Sequence, residues 1–291
     1  MLAVTEKINP DTTDIDVQNG EQIARLINNE DFKIAQAVQK IIPQIGKAIE
    51  EISIRLRNGG RMAYFGSGTS GRIGILDASE MPPTYGVAPT LIQAFISGGE
   101  EAIRFAVENA EDREDMAIED FNTFNPTHND IVVAVSASGN PQYTCKILEL
   151  ARAKNVLTIA VTSNPEAKFK PFADIFLCSE VGPEAVSGSS RMKSGTAQKM
   201  ILNMLSTGAM VRLGKTYHNY MIDVQIHNQK LRERGIRYIS EITKVDSQTA
   251  AQTLDIAQNV KTACVMLIKN CDKPTAEKLL TDNEGILRKI I

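Results

Sequence analysis

The chain has 291 residues, of which 43% are hydrophobic and 23% charged, a composition that can support a substantial core in one large domain or two modest ones. Its formal net charge of −3 argues against a nucleic-acid partner or an acidic membrane surface. No apolar run approaches the ~20 residues of a membrane span, and the acidic, polar N-terminus is unlike a signal peptide, so we expect a cytoplasmic protein without a membrane partner.

The N-terminal region is predicted to be helical. After a polar start, apolar residues recur at helical spacing from Gln18 to Arg57. Pro43 should divide this stretch into more than one helix, and Asn58-Gly59-Gly60 should end it. We therefore expect an N-terminal helical extension over residues 1–57.

The middle of the chain alternates between strand and helix patterns. Apolar runs typical of buried strands are Met62–Phe65, Leu91–Ile96, Ile131–Val135, Val156–Val161 and Ile175–Leu177. Helical patterns between them are Ser70–Glu80, the region Glu100–Phe121, and Gln142–Lys154. This alternation predicts an α/β fold with a three-layer, doubly wound, parallel five-stranded sheet, whose ligand would lie beyond the carboxyl ends of the strands.

Beyond Ser187 the pattern is helical throughout. Long helices are predicted over Ser194–Leu213 and Met221–Ile239. From Asp246 onward we expect a small C-terminal helical bundle of three short helices, with breaks near Asn270–Pro274 and Asp282–Gly285.

The loop after the first predicted strand combines glycines with hydroxyls. Residues 66–72 read GSGTSGR, which formally contains G-x-G-x-x-G. The second strand lacks the terminal acid of a dinucleotide site, and no G-K-[S/T] follows the glycines, so neither a dinucleotide site nor a P-loop is favoured. Glycines that admit a ligand, a helix N-terminus and the hydroxyls of Ser67, Thr69 and Ser70 suit a phosphomonoester. The alternative is a plain turn with Ser70 as helix cap.

A second loop of this kind follows the third strand. Ser136 and Ser138 precede Gly139, with Pro141 suited to a first helical position. Two such loops on one sheet can converge on a single anion, which favours a phosphate site. A third hydroxyl-rich stretch, residues 187–196, is compatible with ligand contacts or with helix capping.

Metal and disulfide chemistry are not indicated. The four cysteines include no C-x-x-C pair and the three histidines no H-x-x-x-H pair. We expect reduced thiols and no metal ion.

Longer motifs resemble those of a known family. Residues 66–72 run on into LDASEMPPTYG at 76–86, and residues 106–112 read AVENAED. SGSSRMK follows at 187–193, GTAQK at 195–199 and LNMLSTG at 202–208. In this order they closely resemble the N-acetylmuramic acid 6-phosphate etherases of the sugar isomerase (SIS) superfamily, over nearly the whole chain. Departures are slight: Asn109 stands where glycine is common and Met81 where cysteine is common.

The resemblance implies a homodimer that binds a sugar phosphate, with an SIS domain over residues 58–240 and a UBA-like helical domain over residues 241–291. The family's phosphate-binding hydroxyls fall on Ser67, Thr69, Ser70, Ser136 and Ser138, and its catalytic carboxylates on Glu80 and Glu111. Similarity to the related glucokinase regulatory protein implies that Asn228, Lys230 and Arg234 also line the site.

The implied reaction cleaves the C3 D-lactyl ether of N-acetylmuramic acid 6-phosphate by elimination and then hydration. It gives N-acetylglucosamine 6-phosphate and D-lactate, in cell-wall amino-sugar recycling. One group must take the C2 proton and another must protonate the departing oxygen. Following the family, Glu111 would be the base and Glu80 the acid, an order that could be reversed. This route needs no cofactor.

Two alternatives stay open at this point. A sugar-phosphate isomerase would need the same phosphate site and a base but would not expel lactate. A non-catalytic regulator that senses sugar phosphates would use the C-terminal helices to meet a partner protein. Both glutamates at catalytic positions argue against the regulator.

Overall fold

The computed structural model describes residues 6–224, 226 and 228–291. Its main sheet has five parallel strands in the order β2-β1-β3-β4-β5. The strands are β1 Met62–Gly66, β2 Ile92–Ile96, β3 Ile131–Val135, β4 Leu157–Thr162 and β5 Ile175–Cys178. A short antiparallel hairpin adds β6 Thr216–Tyr217 and β7 Tyr220–Met221.

Helices flank the sheet and form the C-terminal region. The helices before and between the strands are α1 Gly20–Gln39, α2 Ile42–Arg57, α3 Gly68–Ser79, α4 Met81–Tyr85, α5 Gly99–Arg104, α6 Glu114–Phe124 and α7 Gln142–Ala153. Those after them are α8 Lys193–Arg212, α9 Gln229–Thr243, α10 Ser247–Ala257, α11 Val260–Lys269 and α12 Lys273–Asp282. In the part of the chain that the structure describes, none of these is long and apolar enough to cross a membrane.

Both faces of the sheet are covered, which explains why β1, β3 and β4 are buried along their whole length. On one face, residues of α6 and α7 pack with Phe65 and Val132 in a single apolar core. On the other face, the Tyr64 hydroxyl donates to Asp77 of α3 at 2.8 Å, and Asn203 of α8 donates to the same carboxylate at 2.6 Å. The three-layer, doubly wound α/β fold predicted from the sequence is confirmed.

The strand order places a switch point between β1 and β3. The chain leaves β1 for β2 on one side and then crosses back to β3 on the other. Gly66 at the end of β1 stands in register with Val135 at the end of β3. The two loops that follow therefore leave the sheet side by side, where ligands of such folds bind.

The predicted N-terminal helices and their break are confirmed. Asn19 caps α1 through a capping box, in which its side chain accepts from the Gln22 amide and the Gln22 side chain accepts from the Asn19 amide, each at 3.0 Å. Pro43 lies in the first turn of α2, where its missing amide proton costs nothing.

Two predicted helices are wrong in part. The region Glu100–Phe121 contains two helices, α5 and α6, joined by a turn in which Asn109 has a positive φ of 59°. The helix predicted over Met221–Ile239 begins only at Gln229. Ile222 and Val224 are buried with the partly exposed Asp223 between them, an alternation typical of extended chain.

The chain divides into two compact units. The first contains residues 1–79 and 90–206, and the second contains residues 80–89 and 207–291. Helices α9 to α12 bury a core of their own in the second unit, which confirms the C-terminal bundle. The predicted domains of 1–57, 58–240 and 241–291 stay a prediction. The compact units divide the chain at other points, in part because α2 packs against β5.

Candidate active site

Ser67, which joins β1 to α3, and the first turn of α3 bring three hydroxyls to the end of the sheet. Helix α3 begins at Gly68, two residues before the predicted start, so Ser70 lies in its first turn instead of at a cap. A Cβ on Gly66 would lie 2.7 Å from the Gly71 amide nitrogen, so glycine lets the strand end approach the helix start closely. A first turn exposed in this way directs amide groups and the positive end of the helix dipole toward an anion.

Neighbouring polar groups orient two of these hydroxyls. Ser97 Oγ, just after β2, donates to Ser67 Oγ at 2.7 Å. Ser70 Oγ donates to Oε1 of the buried Gln198 at 3.0 Å. Each serine oxygen keeps a free lone pair for further hydrogen bonding.

The loop between β3 and α7 is fixed by its glycine. Gly139 has a φ of +65°, and a Cβ there would lie 1.8 Å from the Phe169 ring. Its amide donates to Ser136 Oγ at 3.0 Å, and Asn164 donates to the carbonyl of Ser138 at 2.9 Å. Helix α7 begins at Gln142, so Pro141 immediately precedes the helix, one position before the predicted place.

The third hydroxyl-rich stretch does not cap α8. The buried carboxylate of Glu184 does so: it accepts from the amides of Lys193 and Ser194 at 2.8 and 2.9 Å and from Ser194 Oγ at 2.8 Å. Lys193 is itself buried and forms an ion pair with Glu30 of α1. Burial would raise the pKa of Glu30, but hydrogen bonds from Lys193 and Lys33 hold it below its ordinary value.

The N-terminal segment closes over this stretch. Asn9 donates to the carbonyl of Pro183 at 3.3 Å, and Thr12 donates to that of Ala185 at 2.8 Å. Ser187 Oγ donates to the carbonyl of Glu6 at 3.2 Å. These bonds bring residues at the start of the chain to the carboxyl edge of the sheet.

The three loops and the N-terminal segment line one cavity of about 340 Å³, here called the serine cleft. All five hydroxyl residues predicted to bind phosphate contribute to it, together with one predicted catalytic carboxylate. Two further residues of its wall come from the third stretch, and one comes from the N-terminal segment. The residues are Ser67, Thr69, Ser70, Ser136, Ser138, Glu111, Gly188, Ser190 and Glu6.

Glu111 lies in a 3-10 turn of residues 110–112, between α5 and α6. Glu111 is exposed, yet nearby protein atoms partly desolvate its carboxyl. This desolvation, together with the nearby charge of Asp112, raises the pKa of the Glu111 carboxyl above its ordinary value. Such a shift is typical of acid/base groups. This turn stands where the sequence predicted a helix.

The remaining predicted site residues belong to the second unit, and their part in the site stays a prediction. Glu80 follows the last residue of α3 and is exposed. Asn228 caps α9, accepting from the Leu231 amide at 2.9 Å. Lys230 and Arg234 lie on α9 as predicted, with Lys230 exposed and Arg234 partly buried.

Glu6 is the site residue that sequence reasoning missed. A Cβ on Gly188 would lie 3.2 Å from Glu6 Oε2, so this carboxylate lies directly over a glycine of the third loop. No local pattern predicts a contact between residues 182 positions apart. Among the described residues, no group of three or more His, Cys, Asp or Glu side chains could hold a metal ion.

Comparisons with known proteins match nearly the whole chain. A family model described as SIS domain matches residues 112–208, and one described as glucokinase regulatory protein N-terminal SIS domain matches residues 44–152. A curated relative from Actinobacillus pleuropneumoniae serotype 5b is 44% identical over 289 residues, covering 99% of this chain and 95% of the relative. One from Clostridium acetobutylicum is 46% identical over 288 residues, with the same coverage. Both are named N-acetylmuramic acid 6-phosphate etherase.

Solved structures share the fold at low sequence identity. A protein involved in capsule formation from Bacteroides fragilis has a TM-score of 0.53 at 22% identity, covering 72% of this chain and 98% of that one. A phosphoheptose isomerase from Francisella tularensis has a TM-score of 0.50 at 18% identity, covering 66% and 98%. These similarities concern the architecture of the sheet and its helices.

Proposed function

Because this chain belongs to the family of N-acetylmuramic acid 6-phosphate etherases, we propose that its serine cleft binds the phosphate of that sugar while Glu111 and Glu80 move the protons. The enzyme is a carbon–oxygen lyase. It cleaves the ether between C3 of the sugar and D-lactate, and leaves N-acetylglucosamine 6-phosphate.

The reaction requires a base close to a fixed phosphate. When the sugar ring opens, the C2 hydrogen becomes α to an aldehyde and can be removed as a proton. Lactate then leaves from C3, and water adds to the double bond. The observation that carries the proposal is Glu111, a carboxyl with a raised pKa on the wall of a cleft lined by five hydroxyl residues. Anchoring the phosphate orients C2 toward this base, which is the effect that makes a weak base efficient.

In this proposal, hydroxyl groups and a helix N-terminus bind the phosphate. Ser67, Thr69 and Ser70 offer hydrogen bonds beside the first turn of α3, and Ser136 and Ser138 offer them from the adjacent loop. Phosphate oxygens accept such bonds readily, and the helix dipole favours their charge. In this scheme Asn228, Lys230 and Arg234 add polar and cationic contacts to the sugar phosphate.

Glu80 completes the scheme as the acid that protonates the departing lactate oxygen. It follows α3, the helix whose first turn lines the serine cleft, and belongs to the motif shared with the family. The division of roles between Glu80 and Glu111 is tested by measuring C2 exchange. A variant that keeps the base but lacks the acid should exchange the C2 proton with solvent deuterium faster than it releases lactate.

The direct test is release of lactate from N-acetylmuramic acid 6-phosphate and from the same sugar without its phosphate. The phosphorylated sugar should be cleaved and the other should be cleaved at least ~100-fold more slowly, because it cannot use the anchoring loops. Glu111→Gln should lower kcat by at least ~100-fold, as expected for the loss of a general base. Glu108→Gln is the matched control: it removes an exposed glutamate three positions away and should leave kcat unchanged. Equal cleavage of both sugars, or equal loss in both variants, would contradict the proposal.

The family resemblance also supports a homodimer located in the cytoplasm, with a role in recycling cell-wall amino sugars. The mass of the protein in solution tests the homodimer.

A further inference from the structure

A second cavity adjoins the serine cleft. It encloses about 200 Å³ and shares three residues with the cleft, namely Ser67, Gly68 and Glu111. We call it the side cavity. Since Glu111 lies on the wall of both spaces, it stands at their junction. The side cavity is therefore open to any group attached near the carbon at which Glu111 acts.

The walls of the side cavity combine an apolar surface, the polar side chains of Ser67, Ser97 and Asn109, the Glu111 carboxylate and one cation. Ala102, Ala106 and Val107 supply aliphatic surface. Arg72 also lines it, and among the described residues that line either cavity it is the one with a positive charge. The Glu111 carboxylate lines both spaces, so an anionic group bound beside it is better accommodated next to a cation.

Only some of the N–H groups of Arg72 are used to hold its side chain in place. Its Nε donates to the carbonyl of Ile103 at 2.8 Å, and its Nη2 donates to that of Phe105 at 3.0 Å. A guanidinium has five N–H donors, so these two bonds leave Nη1 available for an acceptor. The hydrogen bonds to these carbonyls also fix the plane of the guanidinium. The side chain therefore loses less conformational entropy when a ligand binds.

The substrate has a group that matches these walls. The reacting carbons are neighbours, with the acetamido group on C2 and the lactyl ether on C3. The lactyl group carries a methyl group and a carboxylate, and so it offers one apolar and one anionic contact. A guanidinium is the side chain best suited to a carboxylate, because its planar donors match the two oxygens.

We propose that the side cavity is the lactyl subsite, in which Arg72 pairs with the lactyl carboxylate and thereby selects for a lactyl ether. This inference rests on the proposed function. It adds a specificity determinant that an isomerase acting on the same phosphosugar would not need. In this proposal Arg72 binds the lactyl carboxylate, while Glu111 accepts the proton from C2.

The test compares two substrates that differ in one charge. The first is N-acetylmuramic acid 6-phosphate, and the second is its analogue in which the lactyl carboxylate is a primary amide. Formation of N-acetylglucosamine 6-phosphate is measured for both. The wild-type enzyme should favour the carboxylate by roughly 10- to 100-fold in kcat/KM, as expected for a charge-assisted bond in a partly enclosed site.

Arg72→Met should abolish most of this preference. We expect kcat/KM for the carboxylate substrate to fall by roughly 10- to 100-fold and that for the amide to change by less than about 3-fold. Arg104→Met is the control, since Arg104 is exposed, lies on the adjacent helix α5 and is not part of either cavity wall. It should leave both values unchanged.

Two further measurements distinguish binding of the lactyl carboxylate by Arg72 from a purely structural role of this residue. Arg72→Lys keeps the charge but loses the planar donor set, so it should retain part of the preference for the carboxylate. Inhibition by N-acetylglucosamine 6-phosphate, which lacks the lactyl group, should be the same in Arg72→Met as in the wild type. Weaker inhibition together with equal losses on both substrates would mean that Arg72 only supports the wall, and would overturn the inference.

One more substrate separates the lactyl group from the acetamido group as the occupant of the side cavity. Muramic acid 6-phosphate lacks the acetyl group but keeps the lactyl carboxylate. The effect of Arg72→Met should persist with it. If that effect disappears, the side cavity holds the acetamido group and the inference fails. If the wild-type enzyme releases no lactate from N-acetylmuramic acid 6-phosphate, the proposed function itself has failed.

Discussion

A base that accepts the C2 proton must be ionised when the substrate binds. Burial and the charge of Asp112 raise the pKa of Glu111, so protonation should inactivate the enzyme at a higher pH than an ordinary glutamate would. As the pH falls through this raised pKa, kcat/KM should fall in proportion to the fraction of Glu111 that is ionised.

This prediction is checked by the acid limb of the pH profile. Asp112→Asn removes the repelling charge, so the acid limb of kcat/KM should move to lower pH. Asp115→Asn is the control, because the charge of Asp115 is paired with Arg113 and is not a cause of the Glu111 shift. An acid limb that stays in place in Asp112→Asn would argue against Glu111 as the base.

Which residues could be predicted depended on the range of their contacts. The five hydroxyl residues could be found because each lies in the loop or the first helical turn that directly follows a strand, and parallel strands bring these segments to one edge. Glu6 could not be found, because it reaches the cleft through hydrogen bonds to residues 183–187. The roles of the two glutamates came from family resemblance, since the spacing of Glu80 and Glu111 has no meaning without the fold.

At the scale of elements, the conformation of the loop between β3 and α7 depends on Gly139. A Cβ on Gly139 would overlap the Phe169 ring, and its φ of +65° is unfavourable for other residues. Gly139→Ala should therefore destabilise the fold by about 2–4 kcal/mol, measured by denaturant unfolding, and should weaken phosphate binding.

Gly46→Ala is the matched control for this substitution. Gly46 lies within α2, and nothing lies within 4 Å of the position that its Cβ would occupy. Alanine favours a helix more than glycine does, so the change should stabilise the protein by up to about 1 kcal/mol. Comparable losses of stability in the two variants would show that the contact with Phe169 is not the cause.

Segments with a single strong periodicity of apolar residues were predicted well, and segments in which this periodicity changes were not. All five strands, the break at Pro43 and the three C-terminal helices were confirmed. The helix predicted from Met221 begins only at Gln229, after a stretch in which buried and partly exposed residues alternate. Their alternation over Ile222, Asp223 and Val224 is too short to outweigh the helical pattern of α9 that follows. The turn at Asn109 was missed because a positive φ leaves no periodic signal.

At the scale of the whole molecule, the proposed homodimer has a simple consequence. Sedimentation or light scattering should give a mass twice the 31.9 kDa of one chain. The measurement should be made at the protein concentrations used in the lactate assay, so that the species weighed is the active one. A mass of one chain in a fully active sample would contradict the homodimer.

The attachment of the N-terminal segment has a consequence for the order of biosynthesis. Asn9 and Thr12 form their hydrogen bonds with carbonyls that lie 174 and 173 positions further along the chain, after the last strand of the sheet. A ribosome that has translated only as far as β5 has made the hydroxyl-rich segments after β1 and β3, but not the carbonyls of Pro183 and Ala185 to which Asn9 and Thr12 donate. A nascent chain stalled at that point lacks Gly188 and Ser190 of the cleft wall and the acceptors of Asn9 and Thr12, so its N-terminal segment should be cut by an added protease more readily than in the full chain.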